Sequence, residues 1–188
     1  MTAPPDSDAA PDSTAADPAA AGSADPTALN PAAWLLMLWS LAFGGLSAYW
    51  ACGGTWLADK VSEQALAMAA DRIWWFMLLL WLTAVVKFGY GVWALAITRP
   101  WGRRFPRWLL LLGGWGVGLA TLGYGAVQLA LSAPVYTGAV VYANAPDRAT
   151  LWWHVFVWQP VWIAGGLLVL VATLTFQLQS RRSRSVAT

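Results

Sequence analysis

Two side chains in this 188-residue chain combine reactive chemistry with strongly apolar surroundings, Lys87 and His154. Lys87 stands in VVKFGY, about 15 Å from the nearer end of an apolar run at 1.5 Å per helical residue. An ammonium at that depth in hydrocarbon costs at least about 2.5–3.5 kcal/mol on insertion scales. None of the chain's long apolar runs contains an Asp or Glu to offset it. Four accommodations are open: snorkelling toward the cytoplasmic headgroups, loss of the proton, an anionic ligand or lipid head, or a carboxylate of another protein.

His154 is the chain's only histidine. In an antiparallel helical bundle it comes to similar depth as Ser47, Tyr49, Tyr124, Gln128 and Gln159, while Tyr90 shares the helix face of Lys87 one turn away. Lys87, Tyr90, Ser47, Tyr124, Gln128, His154 and Gln159 are therefore the candidate ligand-binding residues. Pro160 removes a backbone donor and predicts a kink that opens space beside them. The competing reading of His154, flanked by Trp152 and Trp153, is an amphipathic side chain at the membrane interface.

Catalytic arrangements find little material. No pair of carboxylates falls within the apolar runs, and Ser47 with His154 lacks a third, orienting group. With one cysteine, Cys52, and one histidine, an internal disulfide, a Cys-rich zinc site and a haem held by two histidines of one chain are excluded. No metal and no cofactor is expected. The bulky Tyr49 and Trp50 before Cys52 argue against a lipoprotein cleavage site and for a plain thiol.

The elements that must position these residues are helices. Hydrophobic residues make up 59% of the chain, charged ones 11%, and there are fifteen tryptophans, which is membrane composition. Four apolar runs, at about 32–51, 73–97, 108–131 and 153–176, each reach the roughly 20 residues needed to cross a bilayer. The expected fold is an all-α antiparallel bundle of four transmembrane helices over 32–178. A disordered Ala/Pro/Asp tail, 1–31, precedes it, and a short basic cytoplasmic tail, 179–188, follows. The first segment holds five aspartates and no Lys or Arg, so it lacks the basic leading region of a signal peptide.

Each run carries a stripe of small or polar residues at helical spacing, such as Gly114, Gly118, Thr121, Gly125, Gln128 and Ser132 in the third. Ser40, Gly44, Ser47 and Ala51 form the first stripe, Thr83, Lys87, Tyr90 and Ala94 the second, and Gln159, Gly166, Thr173 and Gln177 the fourth. Turned inward, these stripes pack a compact bundle.

Arg99, Arg103, Arg104, Arg107, Arg181, Arg182 and Arg184 put seven basic residues on one side, against Lys60, Arg72 and Arg148 on the other. The positive-inside rule then predicts a multi-pass cell-membrane protein with both termini cytoplasmic. Arg99, Arg103, Arg104 and Arg107 are candidate contacts for anionic lipid, at about 1 kcal/mol each. Topology explains these arginines, so no nucleic-acid partner is expected. Trp50, Trp56, Trp74, Trp75, Trp152 and Trp153 form an expected outer aromatic belt, and Trp34, Trp101 and Trp108 an inner one. Gly53 and Gly54 read as the flexible stop of the first helix.

Tyr49, Trp50, Ala51, Gly53, Gly54 and Trp56, together with the aromatic segment before Pro160 that leads into Gly165 and Gly166, resemble an uncharacterised bacterial family of small integral membrane proteins. The family is common in actinobacteria. The resemblance implies a helical multi-span protein and supplies no activity. Its pattern has a histidine two positions before the tyrosine, where this chain has Ser47.

These features together predict a non-catalytic membrane protein that binds a lipid-like or small amphipathic molecule, or a membrane partner, in a polar interior around Lys87. The alternatives are an oligomeric transporter or permeation subunit, with a homodimer formed through the third run's small-residue face, and an enzyme acting on a hydrophobic substrate.

Overall fold

The computed structural model describes residues 31–185, and the side chains of all of these except Arg103 and residues 181–185. The expected acidic tail, apart from Pro31, and the side chains of Arg181, Arg182 and Arg184 lie outside the described residues. The elements are α1 (Pro31–Ala51), α2 (Glu63–Ala70), α3 (Trp74–Thr98), a 3-10 turn (Pro100–Arg104), α4 (Arg107–Thr137), α5 (Arg148–Trp153), a π turn (His154–Trp158) and α6 (Gln159–Ser185). The last three run on without a break. Among the described residues, four helices are long and apolar enough to cross a membrane: α1, α3, α4 and the continuous segment Arg148–Ser180. The all-α, four-helix membrane fold is thus the observed architecture.

The helices form two antiparallel pairs, α1 on α3 and α4 on α6, joined chiefly through α1 and α6; α3 and α4 barely approach each other. Small residues set these distances. The Ser40 hydroxyl donates to the Lys87 carbonyl at 2.6 Å and accepts the Gly91 amide at 3.1 Å. A Cβ on Gly91 would meet that hydroxyl at 2.8 Å. Between α4 and α6, a Cβ on Gly118 would lie 2.7 Å from Leu170 Cδ2. Gly114, Gly118, Thr121 and Gly125 are buried in this way, so the face that the sequence offers to a second copy is covered by the chain's own α6. Long side chains bridge the wider gap. Tyr90 and Thr121 share a hydroxyl–hydroxyl bond of 2.9 Å, and Trp93 Nε1 donates to the Leu110 carbonyl at 3.2 Å.

One end of the bundle carries Arg99, Arg104 and Arg107, and the other a cap built from residues 52–73, which hold α2. Ser62 starts α2 by accepting the Ala65 amide at 2.9 Å. Three side chains fasten the cap to the bundle through its carbonyls. Trp50 Nε1 donates to Trp56 at 2.7 Å, Trp158 Nε1 to Lys60 at 2.8 Å, and the His154 ring reaches Val61 at 2.8 Å. Of the two glycines at the end of α1, only Gly53 uses left-handed backbone, at φ 90°. Gly54 is needed for room instead, since a Cβ there would strike the Tyr49 ring.

The structure departs from sequence expectation in several places. α4 continues past Pro134 to Thr137 and ends at Gly138, which takes φ 80°. Proline forfeits one amide near a helix end, where the freed carbonyl is readily satisfied. The fourth span begins at Arg148, because Asp147 caps it by accepting from the Ala149 and Thr150 amides at 2.7 and 3.0 Å. Pro160 is accompanied by a widened turn. The proline ring would meet the carbonyl four residues back, and the chain widens into the π turn just before it, where the Gln159 amide bonds to the His154 carbonyl. Trp50 leaves the expected belt. It is 9% exposed and packs with Phe43 and Trp158 inside the bundle.

Candidate functional site

Beneath the cap lies a cavity of about 320 Å³. α1 contributes Phe43 and Trp50; the cap contributes Ala58, Val61, Ala65 and Ala69. α3 adds Thr83 and Lys87 below a rim of Phe76, Leu79 and Leu80, while Tyr124 and Gln128 project from α4. His154, Trp158, Gln159 and Trp162 complete the wall from the fourth span. It is an apolar, aromatic chamber with a few polar atoms, the usual make-up of a small-molecule site.

Lys87 is 6% exposed. Its ammonium donates to Ser47 Oγ at 2.7 Å and sits 3.8 Å from the centre of the Phe43 ring and 5.0 Å from that of Trp162. The Ser47 hydroxyl in turn donates to the Phe43 carbonyl at 3.3 Å, leaving its lone pairs for the lysine. Two aromatic faces and one hydroxyl thus solvate the cation. No carboxylate joins them: among the described residues the only ion pair is Lys60 with Asp59, in the cap.

Of the four accommodations open to Lys87, snorkelling toward the arginine end is not the one its side chain takes. A Cα–Cβ bond leans toward the N-terminus of its own helix, and the N-terminus of α3 is at the cap. The side chain accordingly climbs from the level of Ser40, which touches its carbonyl, to that of Ser47.

His154 and Gln159 bond to each other through Nδ1 and Nε2 at 3.0 Å. The proton positions follow from the partners. The Val61 carbonyl can only accept, so His154 Nε2 carries a hydrogen. In the neutral ring Nδ1 is then an acceptor and takes a hydrogen from the Gln159 amide nitrogen. That leaves Gln159 Oε1 with no partner, in a residue 3% exposed.

Five of the seven candidates from the sequence line the cavity: Lys87, Tyr124, Gln128, His154 and Gln159. Ser47 stands behind the wall as the ammonium's acceptor. Tyr90 is not part of the chamber; it lies one turn deeper, stacked on Trp39 at 5.6 Å between ring centres. Phe43, Trp158 and Trp162 were missed by sequence reasoning. The available signal was their position one turn or one residue from a polar stripe residue: Phe43 precedes Ser47 by four, and Trp162 follows Gln159 by three. At the arginine end, Arg99 and Arg104 are exposed and Arg107 donates through Nη2 to the Gln177 carbonyl at 3.3 Å, whereas the Arg103 side chain lies outside the described residues. No group of His, Cys, Asp and Glu able to hold a metal occurs among the described residues.

No curated protein and no solved structure matches this chain. One family does: the one described as "Protein of unknown function (DUF3995)" matches residues 40–169, from the middle of α1 to the middle of α6, and so takes in the cap and every residue that lines the cavity. The chain belongs to the DUF3995 family of proteins of unknown function.

Proposed function

We propose that this membrane protein is a non-catalytic binder of a lipid-like or small amphipathic anionic molecule, held in the cavity beneath the cap. The observation that carries the reading is Lys87, a buried ammonium opening onto an apolar chamber with aromatic and hydroxyl neighbours and no facing carboxylate. Water and protein each solvate such a charge incompletely at this depth, so an anionic group gains more there than at the surface. A volume of about 320 Å³ is near the low end for ligand sites, which run from about 300 to 1,000 Å³. It suits a small molecule, or the head of a lipid whose tail lies elsewhere. Leu79 and Tyr124, on the two helices that scarcely meet, are half exposed, which gives a tail a route into the bilayer.

The same reading places the protein in the cell membrane with both termini in the cytoplasm and the cap on the outer face, supported by the bias of arginines to the opposite end. Native mass spectrometry of gently extracted protein tests the function. Wild type is expected to carry a co-purified anionic amphiphile that Lys87→Met lacks; identical adduct profiles for the two proteins overturn the assignment.

A further inference from the structure

The cap covers the chamber on the side away from the arginines. Of the cap residues in its lining, Ala58 and Ala69 are buried and Val61 and Ala65 half-buried. The carbonyls of Trp56, Lys60 and Val61 are held by Trp50, Trp158 and His154. Of all the residues that line the cavity only two are exposed, Leu79 at 46% and Tyr124 at 52%. They stand on α3 and α4, the two helices that scarcely meet.

The seam between these helices is bridged in its deeper half. Tyr90 and Thr121 join hydroxyls across it at 2.9 Å, and Trp93 reaches the Leu110 carbonyl at 3.2 Å. Tyr90 lies seven residues beyond Thr83, about 10 Å nearer the arginine end at 1.5 Å per residue. At the depth of the cavity no such bond crosses the seam: the Thr83 hydroxyl donates within its own helix, to the Leu80 carbonyl at 2.9 Å. From this opening to the ammonium is a short step. The Tyr124 ring packs edge-on against Trp162 with centres 5.1 Å apart, and the Trp162 centre is 5.0 Å from Lys87 Nζ. One ring therefore separates the cation from a side chain exposed at the level of the acyl chains.

We infer that the α3–α4 seam is a lateral portal, through which an acidic lipid of the leaflet at the cap end brings its head to Lys87 while its chains stay in the bilayer beside Leu79 and Tyr124. This rests on the binding reading above and commits it to a membrane lipid rather than to an acid dissolved in water. The charge argues for the acidic head, since no carboxylate faces Lys87. The size argues for the head alone, because about 320 Å³ is at the low end for a ligand site and leaves the chains outside. The walls argue for the route. Hydrocarbon moves along an apolar seam without exposing itself to water, whereas a dissolved acid would have to part the cap from Trp50, Trp158 and His154.

Photocrosslinking of the full chain in phosphatidylcholine vesicles that hold a minor share of phosphatidic acid tests it. The photoreactive residue p-benzoylphenylalanine is placed at Leu79 or Tyr124 in the portal, and at Leu78 or Leu119, which are exposed and do not line the cavity, as controls. Phosphatidic acid is expected to be enriched about tenfold among the lipid adducts of the portal positions over those of the controls, as a net gain of about 1.4 kcal/mol from one ionic contact would give. Lys87→Met is expected to bring that ratio to about one. Enrichment that persists in Lys87→Met overturns the portal, because the lipid then answers to something other than the ammonium. Equal adducts at portal and control positions overturn it as well. In that case native mass spectrometry separates the two readings: phosphatidic acid or water-soluble glycerol 1-phosphate retained by wild type and not by Lys87→Met leaves the anionic site standing with another entrance, and equal retention by the two proteins overturns both. The portal-to-control ratio in the chain that keeps Lys87 decides the matter even where Lys87→Met fails to fold.

Discussion

The ammonium of Lys87 and the hydroxyl of Ser47 lie 2.7 Å apart, joining α3 to α1 across 40 residues of sequence. Hydrogen bonds to charged groups contribute about 1.5–3 kcal/mol in proteins, and polar pairs between membrane helices about 0.6–2. A double-mutant cycle with Ser47→Ala and Lys87→Met, read by unfolding in mixed micelles, is expected to give a coupling of about 1–2 kcal/mol. Ser47→Ala alone is the more damaging single change, because it leaves the cation with only aromatic faces. Additive effects would show that the contact is incidental.

Lys87 is not expected to serve stability in the absence of ligand. Replacing a desolvated charge by an apolar side chain of similar length is often neutral or stabilising. Ligand-free Lys87→Met is therefore expected to melt at or above the wild-type temperature. An anionic amphiphile at 100 times its Kd is expected to stabilise wild type by about 2.7 kcal/mol and the variant not at all. Thermal unfolding followed by tryptophan fluorescence, with and without ligand, reads both.

What the sequence showed of this fold was what hydropathy and spacing carry. Four apolar runs gave four helices, and the face containing Lys87 and Ala94 proved to be the buried face of α3. The direction of the lysine was also available in principle from the lean of Cβ along a helix. Other features depended on contacts between distant segments. The cap helix α2 is short, and three carbonyl bonds from Trp50, His154 and Trp158 hold the connection it belongs to. Nothing in residues 56–62 announces those partners. The π turn arises because Pro160 falls inside a helix whose neighbours keep it continuous. The orphaned oxygen of Gln159 follows only once His154 is known to face the Val61 carbonyl.

At the start of the fourth span, the Asp147 carboxyl is held below its ordinary value first by the Thr150 hydroxyl, then by the Thr150 and Ala149 amides, with the charge of Lys60 adding to them. Because the folded value is depressed, the cap's contribution is complete above the ordinary aspartate range, near 3.8, and is lost as pH falls through the lower folded value. Amide exchange at Ala149 and Thr150 is expected to quicken on acidification in wild type. Asp147→Asn, which keeps an acceptor but cannot titrate, is expected to lose that acid dependence.

Cys52 is the only thiol in the chain and is exposed at the cap end. The proposed orientation, with both termini cytoplasmic, predicts that a membrane-impermeant maleimide labels it in intact cells, and Cys52→Ser provides the blank. Labelling only after the membrane is opened would reverse the orientation.

Two glycines on the α4–α6 pair separate packing from mere presence of a small residue. A Cβ on Gly166 would come within 2.5 Å of the Leu122 backbone nitrogen, whereas one on Gly116 meets nothing within 4 Å. Backbone cannot swing aside as a flexible side chain can, so Gly166→Ala must push α4 and α6 apart or bend them. Overpacking of this kind costs about 1–3 kcal/mol. Gly116→Ala adds a methyl to an open surface and removes helix flexibility, so it is expected to be neutral or stabilising by up to about 1 kcal/mol. Since Trp162 lies on α6 four residues before Gly166 and lines the cavity, spreading the pair also shifts one aromatic face away from Lys87. Gly166→Ala is accordingly expected to weaken anionic ligand binding as well as stability, and Gly116→Ala to change neither for the worse. Equal melting temperatures for the two variants would show that the helices are not in this register.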